Sequence, residues 1–287
     1  MKKLILRYHF FVMGCVSFVL NSCNTKFRVW VGTNHDQKIY NLKYGEHKRQ
    51  KMDVFLPSDY PEDSPVVLIV HGGAWKYGRK EHMIQIQKML FRNNIPSINM
   101  NYRLVSKTVT YRQQLEDIGL AIQKFNALAH KAELQPDNYI LLGESAGGHL
   151  ALMYGYRHPE QIKKIISLSG PTDFYSPEYL HSFYSKYSSP TIQKVVGTKF
   201  HRQNLSDEFR QASPIANVAD VPTLLFQGNQ DVLVSQKQAK ALDSVLSARQ
   251  IPHKLIFMKN TGHAPRFFSK TKRDSIIYPN ILEWIKS

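Results

Sequence analysis

Ser145 sits at the centre of Gly143-Glu144-Ser145-Ala146-Gly147, between an apolar run and a run with helical spacing. Tyr139, Ile140, Leu141 and Leu142 read as a short buried strand, and across 148–157 Leu150, Ala151, Met153 and Tyr154 recur at helical spacing. A Ser on the sharp turn between strand and helix takes a strained backbone. The residues two before and two after it must be small, so that the strand and helix can pass closely. Gly143 and Gly147 supply that room, and Gly148 extends it. Such a turn lifts a hydroxyl clear of the backbone, and its chemistry is nucleophilic attack.

A serine hydroxyl is a poor nucleophile near neutral pH, so it needs a base, a group to orient that base, and donors for the developing oxyanion. Val221-Pro222-Thr223-Leu224-Leu225-Phe226-Gln227 reads as a strand running into Gly228-Asn229-Gln230-Asp231, which places Asp231 just past a strand's carboxyl end. Lys254 to Met258 reads as the next strand, and Thr261-Gly262-His263 follows in a loop. Small neighbours, Gly262 and Ala264, leave the imidazole free to reach a cleft. Asp231 also fits as a turn residue or as the cap of a helix starting near Ser235. Asp173, after the strand-like run Ile162 to Ser169, is a rival acid better suited to shaping the cleft. Asp243 lies inside the helical run 236–249 and is expected to face solvent.

The oxyanion donors have an upstream signature. Val66 to Val70 is a β-branched apolar run, read as a buried central strand, and it enters His71-Gly72-Gly73-Ala74-Trp75 directly. Gly72 and Gly73 let backbone N–H groups turn toward a carbonyl oxygen with no side chain in the way. The N–H of Ala146, next to the Ser, is the second donor. Trp75 is expected beside the cleft as a substrate contact.

These residues need a sheet to hold them. Strand-like and helix-like runs alternate, including the strand before Met100, a helix over 111–129 and a closing helix over 274–285 interrupted or restarted at Pro279. The pattern argues an α/β architecture, a mostly parallel sheet flanked by helices. At 287 residues and 43% hydrophobic content, the chain can bury one large core. Residues 171–214 break the rhythm with Phe174, Tyr175, Tyr179, Phe183, Tyr184, Tyr187 and Phe200 among polar residues. This insertion reads as a cap that forms a partial lid, with its aromatics either lining the cleft or packing the cap on the body. Arg103 with Glu116 and Asp117 is expected to form a structural ion pair, and Glu144 to scaffold the turn from beneath.

His-Gly-Gly-Ala-Trp, Asn101-Tyr102-Arg103-Leu104, Gly-Glu-Ser-Ala-Gly-Gly and the Asp231 and His263 loops occur in this order. Together they resemble the α/β-hydrolase esterases, closest to bacterial carboxylesterases related to feruloyl and acetylxylan esterases and more loosely to hormone-sensitive lipase. The resemblance covers Tyr40 to the C-terminus. It implies an α/β-hydrolase fold, a Ser145–His263–Asp231 triad, and oxyanion donors at Gly72, Gly73 and Ala146. It implies a serine carboxylesterase acting on short-chain esters, such as acetyl or feruloyl esters of carbohydrate, with no metal or organic cofactor. Ala74 stands where lipase-like relatives often carry a third glycine, which leaves open which N–H donates. A peptidase or amidase of the same fold is the alternative, since the chemistry is shared. A dead binding module fits poorly with the intact Ser, Asp and His set.

The N-terminus bears on location. Lys2, Lys3 and Arg7 precede an apolar run from Phe10 to Leu20, the length of a signal-peptide core and too short to span a bilayer. Leu20-Asn21-Ser22-Cys23 then resembles a bacterial lipobox with Cys23 as the lipidated residue; Cys15 is the rival site. The expectation is a signal segment over 1–22, a linker over 23–39 and one domain over 40–287. No acid follows Cys23 closely, so the lipid anchor is expected on the periplasmic side of a bacterial envelope. The net charge is +16, and losing residues 1–22 removes three basic residues and no acid. Lys43, Lys48, Arg49, Lys51, Arg266, Lys270, Lys272 and Arg273 are spread out and carry no nucleic-acid motif. They read as a solvated surface, suited to anionic headgroups or acidic glycans.

Overall fold

The computed structural model describes residues 35–59, 64–131 and 138–287. The expected signal segment, Cys15 and Cys23 lie outside these residues. The strands are β1 (Gln37–Lys43), β2 (Lys51–Leu56), β3 (Val66–Val70), β4 (Ser97–Met100), β5 (Tyr139–Glu144), β6 (Ile162–Leu168), β7 (Thr223–Gly228) and β8 (His253–Met258). They form one sheet in the order β1-β2-β4-β3-β5-β6-β7-β8. β2 pairs antiparallel with both β1 and β4, and every other pair is parallel. The helices are α1 (Ile84–Arg92), α2 (Tyr111–Lys131), α3 (Ala146–Arg157), α4 (Pro177–Leu180), α5 (Phe183–Val196), α6 (Asp207–Gln211), α7 (Gln236–Ala248), α8 (Pro265–Phe268), α9 (Lys270–Lys272) and α10 (Tyr278–Lys286).

The side-chain period of two along β3 explains the layers. Val66, Leu68 and Val70 join the core that holds Ile118 and Ile122 of α2, Leu152 of α3 and Leu242 of α7. Val67 and Ile69 point the other way, into a core with Ile86 and Leu90 of α1 and Ile281 and Ile285 of α10. Each such side chain contributes about 1.5–3 kcal/mol when fully buried. The sheet is therefore covered on both faces, and all loops that carry candidate chemistry leave its carboxyl edge.

Several boundaries differ from the sequence reading. β1 and β2 stand where no strand is expected, and β1 begins inside the stretch read as linker. The closing helix is a restart: a π-helical turn, Arg273–Ile277, passes into α10, with Pro279 in its first turn where no N–H is required. Ile277 and Ile281 are buried as expected, whereas Ile276 and Trp284 are only partly covered and Ile285 takes their place. The cap over 171–214 is built from α4, α5 and α6, each started by a Ser whose side chain accepts a backbone N–H: Ser176, Ser182 and Ser206.

Candidate active site

Ser145 links β5 to α3 with φ 54° and ψ −120°, a left-handed backbone that a non-glycine residue adopts only under constraint. The constraint is close packing. A Cβ on Gly143 would lie 2.1 Å from the Gly147 carbonyl oxygen, and one on Gly147 would lie 2.1 Å from that of Val70. The Ser145 N–H donates to Leu168 O at 2.7 Å, which fixes the turn against β6.

The Ser145 hydroxyl donates to His263 Nε2 at 2.8 Å, and His263 Nδ1–H donates to Asp231 Oδ2 at 2.8 Å. Asp231 is buried, and its carboxylate is filled from every side. Oδ1 accepts from Leu233 N and Val234 N, both at 2.9 Å, and Oδ2 also accepts from Gln227 Nε2 at 3.0 Å. The Asp231 and His263 loops are joined to each other. Gln230 N donates to Thr261 O at 2.9 Å, and Gly228 passes so close to Thr261 O that a Cβ would lie 2.2 Å away.

The loop after β3 is equally constrained. Gly73 has φ +123°, and a Cβ there would lie 2.4 Å from Tyr77 O. Gly72 lies against Ser145, and a Cβ on it would come within 3.3 Å of Ser145 Cβ. Arg49 Nη2 donates to His71 Nε2 at 3.3 Å, and His71 Nδ1–H donates to Gly72 O at 2.7 Å. His71 also stacks on Tyr102 at 4.2 Å. Burial pushes the His71 pKa down to about 3, so the ring stays neutral and keeps this tautomer. In a trans peptide the C=O and the next N–H point in opposite directions, so holding Gly72 O aims the Gly73 N–H away from His71. Among the described residues, no group accepts from the Gly73 or Ala146 N–H.

Ser145, His263, Gly72, Gly73, Trp75 and Ala74 line one cavity of about 460 Å³, closed by Phe174, Tyr179, Tyr184, Ile192, Leu233 and Phe267. The cap aromatics divide their work. Phe174 and Tyr179 are buried and also wall the cavity, Tyr184 donates to Asp231 O at 2.9 Å, and Phe183 and Tyr187 face outward. Trp75, expected as a substrate contact, is 5% exposed, and its Nε1–H donates to His149 Nδ1 at 3.1 Å. Its indole is chiefly a buried wall. His149 Nε2–H in turn donates to Ala212 O at 2.8 Å, and burial pushes its pKa down to about 4.

The rival acids fall elsewhere. Asp173 Oδ1 accepts from Tyr175 N and Ser176 N and so shapes the start of the cap. Asp243 is partly exposed and faces His253 at 3.5 Å. Ser235, not Asp231, caps α7. Arg103 pairs with buried Asp117 at 2.8 Å and with Glu116 at 3.1 Å, a structural pair as expected.

Two basic residues read as solvated surface turn inward. Arg49 donates to Tyr102 O, Gly78 O and His71. Arg266 is buried and binds Glu144 in bidentate fashion, Nη2 to Oε2 at 2.7 Å and Nε to Oε1 at 3.2 Å. Gln227, His149 and Arg266 are the functional-site residues that sequence reasoning misses. Only Gln227 leaves a trace, a polar residue closing an apolar strand. Among the described residues, no group of three His, Cys, Asp or Glu is placed to hold a metal ion, and no helix is long and apolar enough to cross a membrane.

The fold matches solved esterases. A truncated carbohydrate esterase from gut microbiota superposes with a TM-score of 0.70 at 18% identity, covering 86% of this chain and 96% of that one. This is the α/β-hydrolase fold. In sequence, isoprenylcysteine alpha-carbonyl methylesterase of Arabidopsis thaliana is 25% identical over 256 residues, 81% of this chain and 58% of the relative. The chain thus spans about 58% of that relative's length. Kynurenine formamidase of Salmo salar is 28% identical over 146 residues, 48% of this chain and 47% of the relative. Residues 52–246, from β2 into α7 and including Ser145 and Asp231, match the BD-FAE family model; the chain belongs to the BD-FAE family.

Proposed function

We propose that the protein is a serine carboxylesterase that cleaves short-chain esters through an acyl-enzyme on Ser145. One observation carries this reading: an unbroken hydrogen-bond chain from Ser145 through His263 to Asp231, opening on a cavity walled by aromatic and aliphatic side chains. His263 Nε2 takes the Ser145 proton as Oγ attacks the ester carbonyl, and Asp231 holds the tautomer and stabilises the imidazolium. The Gly73 and Ala146 N–H groups receive the oxyanion. As the tetrahedral intermediate collapses, His263 passes the proton to the departing alcohol. Water then enters by the reverse roles and frees the acid. The chain's own groups are sufficient for every step, so the reading needs no cofactor.

The substrate side follows from the wall. Flat faces at Phe174, Tyr179 and Tyr184 suit a short or aromatic acyl group, with the alcohol directed to the open mouth. Acetyl or feruloyl esters of carbohydrate fit this arrangement, and the carbohydrate esterase that shares the fold is in keeping with it. Purified protein assayed on p-nitrophenyl esters should lose kcat/KM steeply beyond about eight carbons, because each methylene forced against a closed wall costs about 1–3 kcal/mol. A profile that rises toward long chains, with activity on emulsified triglycerides, would overturn the substrate assignment. The formamidase relative supports a second reading, cleavage of a small amide. Faster turnover of N-formyl anilides than of p-nitrophenyl acetate would favour it.

A further inference from the structure

Ten large apolar side chains stand exposed among the described residues: Tyr40, Tyr77, Leu120, Phe183, Tyr187, Val232, Leu233, Phe257, Phe267 and Phe268. A soluble surface normally scatters such residues singly. Here seven of them lie on four segments that also wall the Ser145 cavity: the loop after β3, α5, the loop after β7 and α8. Tyr77, Leu233 and Phe267 line the cavity itself. Val232 lies between Asp231 and Leu233, and Phe268 follows Phe267. Phe183 packs beside Tyr184, a cavity residue, at 6.3 Å between ring centroids, and against Tyr187 at 4.5 Å. Val232, in the loop that carries Asp231, is 76% exposed, and Phe268, the last residue of α8, is 89% exposed.

A fringe of cations surrounds this apolar rim. Lys76 Nζ lies 5.3 Å from the Tyr77 ring, and Lys186 Nζ lies 5.9 Å from the Tyr187 ring. Lys237, at the start of α7, and Lys270, two residues past Phe268, are exposed. Acids nearby are fewer: Glu81 is engaged by Lys80 at 2.9 Å and Asp231 is buried in its own network, while Glu178 is exposed in a neighbouring cleft that Phe183 and Lys237 also line. Exposed aromatic and aliphatic tips fringed by lysine are the composition of surfaces that enter the headgroup layer of a membrane.

We propose that this rim docks on an anionic phospholipid bilayer, so that the cavity opens onto the lipid headgroups. Charge decides between occupants. A second copy of a chain with net charge +16 would set lysine against lysine, whereas anionic headgroups complement the fringe. A polysaccharide would be met by hydrogen-bonding groups, which the exposed side chains of Val232 and Phe268 do not offer. The proposal rests on the rim and not on the acyl group, and it narrows the carbohydrate esters proposed above to small ones or to those held at a bilayer surface.

The test uses the full chain with Cys15→Ser and Cys23→Ser, so that no lipid anchor forms. A polarity-sensitive fluorophore is attached either at Phe268→Cys or at Glu160→Cys, which precedes β6 at the opposite edge of the sheet. Phosphatidylcholine vesicles with phosphatidylglycerol should blue-shift the probe at 268 and leave the probe at 160 unchanged; vesicles without phosphatidylglycerol should shift neither. Adding Phe183→Ser and Val232→Ser to the 268-labelled chain should weaken vesicle binding by roughly tenfold or more, with p-nitrophenyl acetate hydrolysis unchanged. Three results would overturn the proposal: equal shifts at 160 and 268, a shift at 268 that follows protein concentration without vesicles, or a shift with polysaccharide and none with vesicles.

Discussion

Asp231 is the residue on which the site's geometry depends most, because four donors converge on its two oxygens. An Asn in its place would turn an NH₂ toward either the Leu233 and Val234 N–H pair or His263. One side would lose its acceptor, and the imidazole would lose its fixed tautomer. Asp231→Asn should therefore lower kcat on p-nitrophenyl acetate by on the order of 10⁴-fold. Asp173→Asn keeps an amide oxygen for the Tyr175 and Ser176 N–H groups and should leave kcat within a few-fold. Equal damage from the two variants would refute the assignment of the acid. At this scale Ser145, Asp231 and His263 are legible in the sequence because each follows a recognisable strand. Arg266 is not, since its partner Glu144 lies 122 residues away and no local pattern marks the pair.

Among the elements, the β5–α3 turn and the α8 segment after His263 are fastened together by Arg266 and Glu144. Glu144 is the residue before Ser145, and Arg266 lies three residues beyond His263, so one buried pair ties the two segments together. Arg266→Met would leave the Glu144 carboxylate buried without its partner, which should cost about 3–5 kcal/mol in urea unfolding. The double variant Arg266→Met/Glu144→Leu should recover much of that loss. Stability unchanged in the single variant would show that the pair carries no structural weight. The parallel strands β3, β5, β6 and β7 were readable as apolar runs because both their faces are covered. β1 was not, because it is mostly exposed and a register shift between Ile39 and Leu42, with Asn41 at φ 55°, breaks its alternation. The cap helices were hidden by composition: Ser176 and Ser182 look like loop residues until they are seen capping, and Pro190 interrupts the pattern within α5.

For the whole molecule, the two cores on either side of the sheet each press on buried polar groups, and two of these are neutral histidines. An unfolded His has a pKa of about 6.5, whereas burial lowers His71 to about 3 and His149 to about 4. Between those limits the unfolded chain binds protons that the folded chain refuses. Stability is thus complete above pH 6.5 and is lost as pH falls toward 4. Each His should cost on the order of 2 kcal/mol by pH 5. The fall in urea-unfolding free energy between about pH 7.5 and pH 5 should be smaller by roughly that amount in His149→Gln. An identical fall in both proteins would show that His149 is not the sensor. The fold class was legible because alternating runs with motifs in a fixed order admit few arrangements. The apolar rim was not, because it is assembled from helices α5 and α8 and two loops far apart in sequence and exists only after folding.

The proposed acyl-enzyme on Ser145 can be trapped by mixing the protein with a p-nitrophenyl ester, quenching in acid and mapping peptides by mass spectrometry. One acyl adduct is expected, on the peptide containing Ser145. Ser145→Ala should show no adduct and a loss of turnover on the order of 10⁶-fold. Near-normal hydrolysis by folded Ser145→Ala, or an adduct on a different residue, would contradict the proposal.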